Sequence, residues 1–278
     1  MDAKDAKNTT ATSDPTQLTE EKETLFITLR AKAYDSQQPR SILHDTKAAE
    51  ILRSIDYDSS KFGESKGDLT VIRARQYDEW VREYLRAHPD AVVIYLGCGL
   101  DSRVERIDLP QTAHWFDVDF PEVIDTRRQF FSERDNYHMI ASSMTEAAWL
   151  EQIPGTRPTL VIAEGALEYL EPEEVNTLFK RLLDHFQQGQ LIFDIMNTFA
   201  RDAGKQELKE TTGAAHAWII DDTADIDAID PRLRKVTELS LMKSAYVRDL
   251  PLRYRLAFWA GARVPRFRDM LRLMRYEF

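Results

Sequence analysis

Val92-Val-Ile-Tyr-Leu-Gly-Cys-Gly-Leu-Asp-Ser-Arg103 is the stretch whose reading decides the fold. A run of β-branched and large apolar residues stops at Gly97-Cys-Gly99, the pattern of a buried parallel strand opening into a tight turn against a ligand. Two glycines one residue apart let the backbone approach an adenosine-type cofactor with no Cβ atoms in the way. Ser102 stands where a dinucleotide fingerprint has its third glycine. The GxGxxG pattern is therefore incomplete, which counts against a nicotinamide oxidoreductase.

Working outward, His114-Trp-Phe-Asp-Val-Asp119 reads as a second short strand, with Phe120-Pro121 at the following helix start. Asp119 falls about 20 residues after the glycine turn, where nucleotide-binding folds place a carboxylate on the ribose hydroxyls. An ionised aspartate only accepts hydrogen bonds, which suits a diol. Read alone, Asp117 and Asp119 are equally well polar residues closing a strand. Further strands are expected at Ala91–Leu96, Tyr137–Ala141, Thr159–Glu164 and Gln190–Met196, with helices between them. That alternation predicts an α/β fold, a doubly wound, mostly parallel sheet with helices on both faces. Pro121 and Pro172 suit first helical turns.

Three segments flank this core. Residues 1–20 are polar and low in aromatics and read as a disordered tail. Residues 21–88 read as an N-terminal helical cap: a helical pattern over Glu21–Arg53 broken at Pro39, a glycine-containing loop Lys61–Gly67, and a helix from about Leu69 to Ala87. Phe26, Leu29, Ala33, Ile42, Leu43 and Ile51 are its core candidates, joined in the last helix by Ile72, Tyr77, Val81, Tyr84 and Leu85. Within the core unit, 89–278, periodicity fades over about 197–230, where Gly204, Gly213 and several aspartates occur; this insertion reads as an active-site lid. Beyond it come a strand-like Lys235–Met242, a helix Leu252–Ala262 and a last strand Leu271–Phe278.

Composition sets outer bounds. A chain of 278 residues, 43% hydrophobic and 30% charged, can bury a sizeable core under a polar surface. Its net charge of −10 repels polyphosphate, so nucleic acid is not an expected partner. No run approaches the ~20 apolar residues of a membrane span, and no apolar signal core stands at the N-terminus. One cysteine, Cys98, excludes a disulfide framework and a multi-cysteine metal site, and suits a reducing cytoplasm.

Gly97-Cys-Gly-Leu-Asp-Ser-Arg103, Phe116-Asp-Val-Asp-Phe-Pro-Glu-Val123 and Ala163-Glu-Gly-Ala-Leu-Glu-Tyr-Leu170 resemble, in order and spacing, the leucine carboxyl methyltransferase family. Within it the polyketide-type O-methyltransferase branch is the most similar. The resemblance runs from about residue 24 to the C-terminus. It implies a class I (Rossmann-like) methyltransferase with a seven-stranded sheet, S-adenosylmethionine as methyl donor and an oxygen as acceptor, most often a carboxylate.

The resemblance also implies site residues. Arg73 stands where the family grips the methionyl carboxylate of the donor, with Lys32 as a second anchor. Gly97, Cys98 and Gly99 form the turn beneath the donor, with a small side chain fitting at Cys98; Asp119 holds the ribose, and Glu164 lies near the methionyl part. Ser143-Met144 occupies the place where many relatives carry Asp-Leu against adenine, so the serine is a departure. Arg103 reads as a structural partner of the turn beside Asp101. For the acceptor, the flat rings of Tyr169 and Trp218 are candidate walls.

A carboxylate acceptor is already ionised at neutral pH and needs no base. A phenol would need one, and His216, His185 and His114 are then candidates. Methylation of a protein C-terminus and a catalytically silent cofactor-fold protein are the alternative readings.

Overall fold

The computed structural model describes residues 24–55, 68–212 and 214–278. The expectations for the tail (1–20) and for the loop Lys61–Gly67 lie outside these residues. Seven strands form one sheet: β1 (Val92–Leu96), β2 (His114–Asp119), β3 (Tyr137–Ala141), β4 (Thr159–Ala163), β5 (Gly189–Met196), β6 (Arg234–Ser240) and β7 (Leu271–Glu277). Their spatial order is β3-β2-β1-β4-β5-β7-β6. β1 to β5 pair in parallel, and β7 runs antiparallel to both β5 and β6. The chain order reverses between β1 and β4, which opens a crevice beyond the carboxyl ends of the strands.

Side-chain alternation explains the layering. All five residues of β1 are buried: Val93 and Tyr95 join one apolar layer, while Val92, Ile94 and Leu96 join the other. A strand buried on both faces reads as a continuous apolar run, and this one does. The first layer contains residues of α1 (Leu25–Ser36), α2 (Thr46–Ser54), α3 (Asp68–Ala87), α4 (Arg103–Arg106) and α5 (Pro121–Arg127). The second contains residues of α6 (Pro172–His185) and α8 (Ala224–Asp227). In α3, Ile72, Tyr77, Val81, Tyr84 and Leu85 are all buried, as their spacing predicts. α6 begins as its sequence signals, with Pro172 in the first turn and a reciprocal capping box between Glu171 and Glu174.

The segment 197–230 departs from expectation. Residues Thr198–Thr212 form a regular helix, α7, where the sequence suggested irregular chain. Its entry is fixed by Asn197, whose side-chain oxygen accepts from the Ala200 amide at 2.8 Å. α7 holds few large apolar residues, so no apolar run announces it although most of its residues are compatible with a helix. The chain after it is irregular and is pinned where Ala217 N–H donates to the Glu168 carbonyl at 2.7 Å and Ile220 N–H to that of Met196 at 3.0 Å. The C-terminal part adds α9 (Leu252–Gly261) and α10 (Pro265–Arg268) before β7.

Trp218 is a correction. It lies in the second apolar layer, with its ring centroid 6.2 Å from that of Phe179 and 5.9 Å from that of Phe193, and it reaches no wall of the crevice. Large aromatics fill cores more often than they line sites. Trp218→Ala is accordingly expected to lower unfolding free energy by about 3–5 kcal/mol, as other large-to-small aromatic truncations do. Donor affinity of the folded variant should match the parent; denaturant titration and calorimetry check the two halves.

Candidate active site

At the switch point the strands β1, β2 and β4 end around an open crevice. Its floor is the glycine turn, where Gly97 has φ +63°. A Cβ there would stand 2.7 Å from Cβ of Ala166, so both backbone conformation and clearance demand glycine. α1 contributes Leu25, Thr28 and Lys32 to one wall, with Thr24 just before it. Arg73 comes from α3, Ser143 and Met144 from the segment after β3, and Glu164 and Tyr169 from the segment after β4. Asp119, at the end of β2, lies in the same crevice. Of the residues singled out in the sequence, Lys32, Arg73, Gly97, Cys98, Gly99, Asp119, Ser143, Met144, Glu164 and Tyr169 are thus brought together around one crevice. Among the residues singled out for the site, His216 and Trp218 stay off the wall.

Asp119 is held by the main chain. One carboxylate oxygen accepts from Gly99 N–H at 2.7 Å and the other from Phe120 N–H at 2.8 Å. Burial pushes its pKa up to about 6, against the pull of those two amides and Arg127. Cys98 is buried, and burial pushes its thiol well up, so it is a space-filling residue of the turn.

Beneath the crevice runs a network of buried charges. Glu164 is shared: Arg73 Nε donates to one oxygen at 3.1 Å and Arg103 Nη2 to the other. Arg73 also donates from Nη1 to Asp194 at 2.8 Å, and Asp194 accepts from Tyr77 O–H and Gly165 N–H at 3.2 and 2.8 Å. Gly165, with φ +65°, is needed here, because a Cβ would come within 2.8 Å of Arg73 Nη2. Arg103 Nε reaches Asp78 at 2.8 Å, and Lys32 Nζ reaches Asp101 at 3.0 Å. Arg106 links Asp45 at 2.6 Å, Asp101 at 2.9 Å and Asp78 at 3.0 Å. Burial works against ionised carboxylates here, yet the neighbouring guanidinium groups hold Asp101, Glu164 and Asp78 below their usual range.

Sequence reasoning missed several of these partners. Asp194 interrupts the apolar run Leu191-Ile-Phe-Asp-Ile195, and a charge inside a buried strand is itself a signal of a built site. Asp45, Asp78 and Arg106 gave no such signal, because charges on helices and in loops are common. The expected pairing of Arg103 near the glycine turn is present. His114 stands at the start of β2, about 17 Å along the strand from Asp119. His185 closes α6, where its Nε2 lies 2.8 Å from the Ile153 carbonyl. His216 is nearer, its ring 5.2 Å from that of Tyr169.

A family model for leucine carboxyl methyltransferase matches residues 25–183. The chain belongs to that family. It is 40% identical to the tetracenomycin polyketide synthesis O-methyltransferase TcmP of Streptomyces glaucescens, over 94% of this chain and 98% of that one. It is also 31% identical to the S-adenosyl-L-methionine-dependent methyltransferase dpfgK of Gibberella zeae, over 78% of this chain and 81% of that one. A crystal structure of a candidate methyltransferase from Thermobifida fusca YX shares the fold, with a TM-score of 0.55 at 14% identity, covering 88% of this chain and 93% of that one. This is an O-methyltransferase that uses S-adenosylmethionine.

One group in the family motif has an unexpected state. Glu168 is buried next to Asp194 and Glu164, and burial, then repulsion from Asp194, pushes its pKa up to about 8. Between the ordinary glutamate range and pH 8, the folded protein keeps a proton that the unfolded chain has released. Stability due to this group is therefore complete at low pH and is lost as pH rises through about 8. Glu168→Gln should flatten the fall in stability between pH 5 and 8 by about 1 kcal/mol per unit, read by scanning calorimetry. An unchanged pH slope would show that Glu168 is ionised when folded.

Proposed function

We propose that this methyltransferase esterifies the carboxylate of a small, flat, polyketide-like acid, with Asp119 on the donor's ribose, Arg73 and Lys32 on its methionyl carboxylate and Glu164 on its ammonium. The fit rests on the cradle and the donor set. The floor at Gly97 is clear only while no Cβ is present. Asp119 receives one backbone N–H on each oxygen and has further lone pairs for hydroxyls. Arg73 and Lys32 bring cationic heads, and Glu164 an anionic one, to one wall region. Ser143 Oγ lies 2.9 Å from Thr145 Oγ1, so its hydroxyl serves its own turn and adenine would meet Met144 and main chain. When bound, the sulfonium supplies an electrophilic methyl group.

The observation that supports a carboxylate acceptor is the state of the titratable side chains that line the crevice among the described residues. Lys32, Arg73, Asp101 and Glu164 are committed to ion pairs. Burial pushes Tyr95, Cys98 and Tyr169 up, so they keep their protons. Asp119 is turned to the glycine loop. A wall without an uncommitted base suits an acceptor that arrives ionised. The protein then contributes alignment and exclusion of water. The polyketide character rests on TcmP, whose name places it in tetracenomycin polyketide synthesis. In this reading the described residues of 21–88 act as the cap and those of 197–230 as the lid, the latter segment being held by the Ala217 amide at the Glu168 carbonyl.

A phenol acceptor is the second reading, favoured by His216. Its Nδ1 is buried without a hydrogen-bond partner, and burial lowers its pKa, leaving a neutral imidazole beside Tyr169. Methyl-labelled donor and a panel of aromatic acids with free phenols separate the two. A carboxyl ester gives up labelled methanol in mild alkali and an aryl ether does not. Alkali-stable label, lost in His216→Ala, would overturn the carboxylate reading.

Asp119 gives the pH test of the donor assignment. Its carboxylate protonates as pH falls through about 6, so donor affinity should weaken by up to about tenfold per unit below that point. Asp119→Asn should bind several-fold more weakly at pH 8 and lose the acid dependence. Calorimetric titration at several pH values checks this, and an unchanged affinity in the variant would remove the ribose role.

A further inference from the structure

We propose that the outer face of α9, with the groove it forms against residues 241–249, docks an acidic helix of another protein that carries an apolar ridge. α9 has two apolar faces. Tyr254 and Phe258 turn inward onto the first core layer. Leu252, Leu256 and Trp259 turn outward and remain 64%, 56% and 61% exposed. These positions are i, i+4 and i+7, the spacing of anchors in helix-in-groove recognition. Met242 and Val247 face them across an open groove. Of the seven large hydrophobic side chains that are exposed among the described residues, four lie between Leu252 and Val264. Such clustering marks an interaction surface.

Charge selects the occupant. Between Lys243 and Arg268 stand seven Lys or Arg and a single acid, Asp249, so this segment carries +6 in a chain of net −10. Lys243, Arg248, Arg255 and Arg263 rim the groove, and the Arg263 guanidinium stacks 3.2 Å from the centre of the Trp259 ring. A partner must therefore bring apolar side chains flanked by carboxylates. A second copy meeting α9 through α9 would set one cationic patch against another. Elsewhere among the described residues, Tyr34, Leu69 and Val236 are exposed singly and form no matching ridge. A bilayer requires an apolar face and a charged face on opposite sides. On α9, Arg255 adjoins the exposed Leu256, and the opposite side is already packed on the core.

The probe is a synthetic helical peptide of about 18 residues, with leucine at i, i+4, i+7 and i+11 and glutamate at the flanking positions. Titrated against the full chain, it should bind in the micromolar range and weaken several-fold as salt rises. Leu256→Asp and the pair Arg255→Glu, Arg263→Glu should each reduce affinity at least about tenfold, with methyl transfer and melting temperature unchanged. Absence of binding, or equal binding of a lysine-for-glutamate peptide, would overturn the proposal. So would dimerisation in sedimentation that Leu256→Asp abolishes, or tighter binding to phosphatidylglycerol vesicles than to the peptide; the first would make a second copy the occupant, the second a membrane.

Discussion

The carboxylate of Glu164, divided between Arg73 and Arg103, is the interaction on which the rest of the site depends. It sits just past β4 and ties that strand end to α3 through Arg73 and to the glycine turn of β1 through Arg103. From these two guanidinium groups the network spreads to β5 through Asp194, back to α3 through Asp78, and to α1 through Asp101 and Lys32. Arg127 clamps the same turn from α5, donating to the Gly99 and Asp101 carbonyls at 3.0 and 2.8 Å while paired with Asp117. Burying this many charges costs several kcal/mol per ion before any attraction is counted, so the network is a poor source of net stability. What it does is specify geometry. Each side chain has one position in which every charge is met, and removing any partner leaves another charge buried and unmet.

The same arrangement sorts the titratable groups by role. Where guanidinium groups converge, Asp101 and Glu164 stay ionised in a dry setting. Glu168, four residues after Glu164 in the chain, lacks that convergence and holds its proton up to about pH 8. Asp119 lies between these cases, because two main-chain amides only partly offset its burial. Three carboxylates that share one crevice are thus set to different states by the partners that the fold gives each of them.

Much of this was legible in the chain. The edges of β2 and β3 fall where the sequence places them, and those of β1, β4, β5 and β7 lie within about one residue of expectation, because continuous apolar runs between turn residues leave little freedom. The glycine turn and the place of Asp119 in the crevice were legible because a positive φ favours glycine and an acid closing the second strand about 20 residues on leaves a residue-specific mark. The partners of the ion network were not, since pairing between residues as far apart as Arg73 and Asp194 has no local period to read. α7 was missed for a different reason: with glycines and a run of aspartates in and after it and few large apolar residues, the segment reads as loop although it is helical. Trp218 was misplaced because an aromatic residue in an irregular segment reads alike whether it faces a ligand or the core, and only packing between Phe179 and Phe193 decides.

Ser102 shows how one departure from a familiar motif follows from the same constraint. A dinucleotide fold uses glycine at this position so that the next helix packs close to the strand and offers its N-terminus to a pyrophosphate. Here Ser102 is fully buried, donates its hydroxyl to Asp45 and accepts from Arg106 at 2.9 Å. Asp45 in turn caps α2 through the Ala48 amide at 2.9 Å. The helix that follows is only four residues long, and its first side chain, Arg103, is directed to Glu164 rather than outward. Glycine at 102 would leave both Asp45 and Arg106 short of a partner and loosen α2 from the turn. The residue that argues against a dinucleotide in the sequence is thus the one that fastens α2 to the glycine turn at the floor of the crevice.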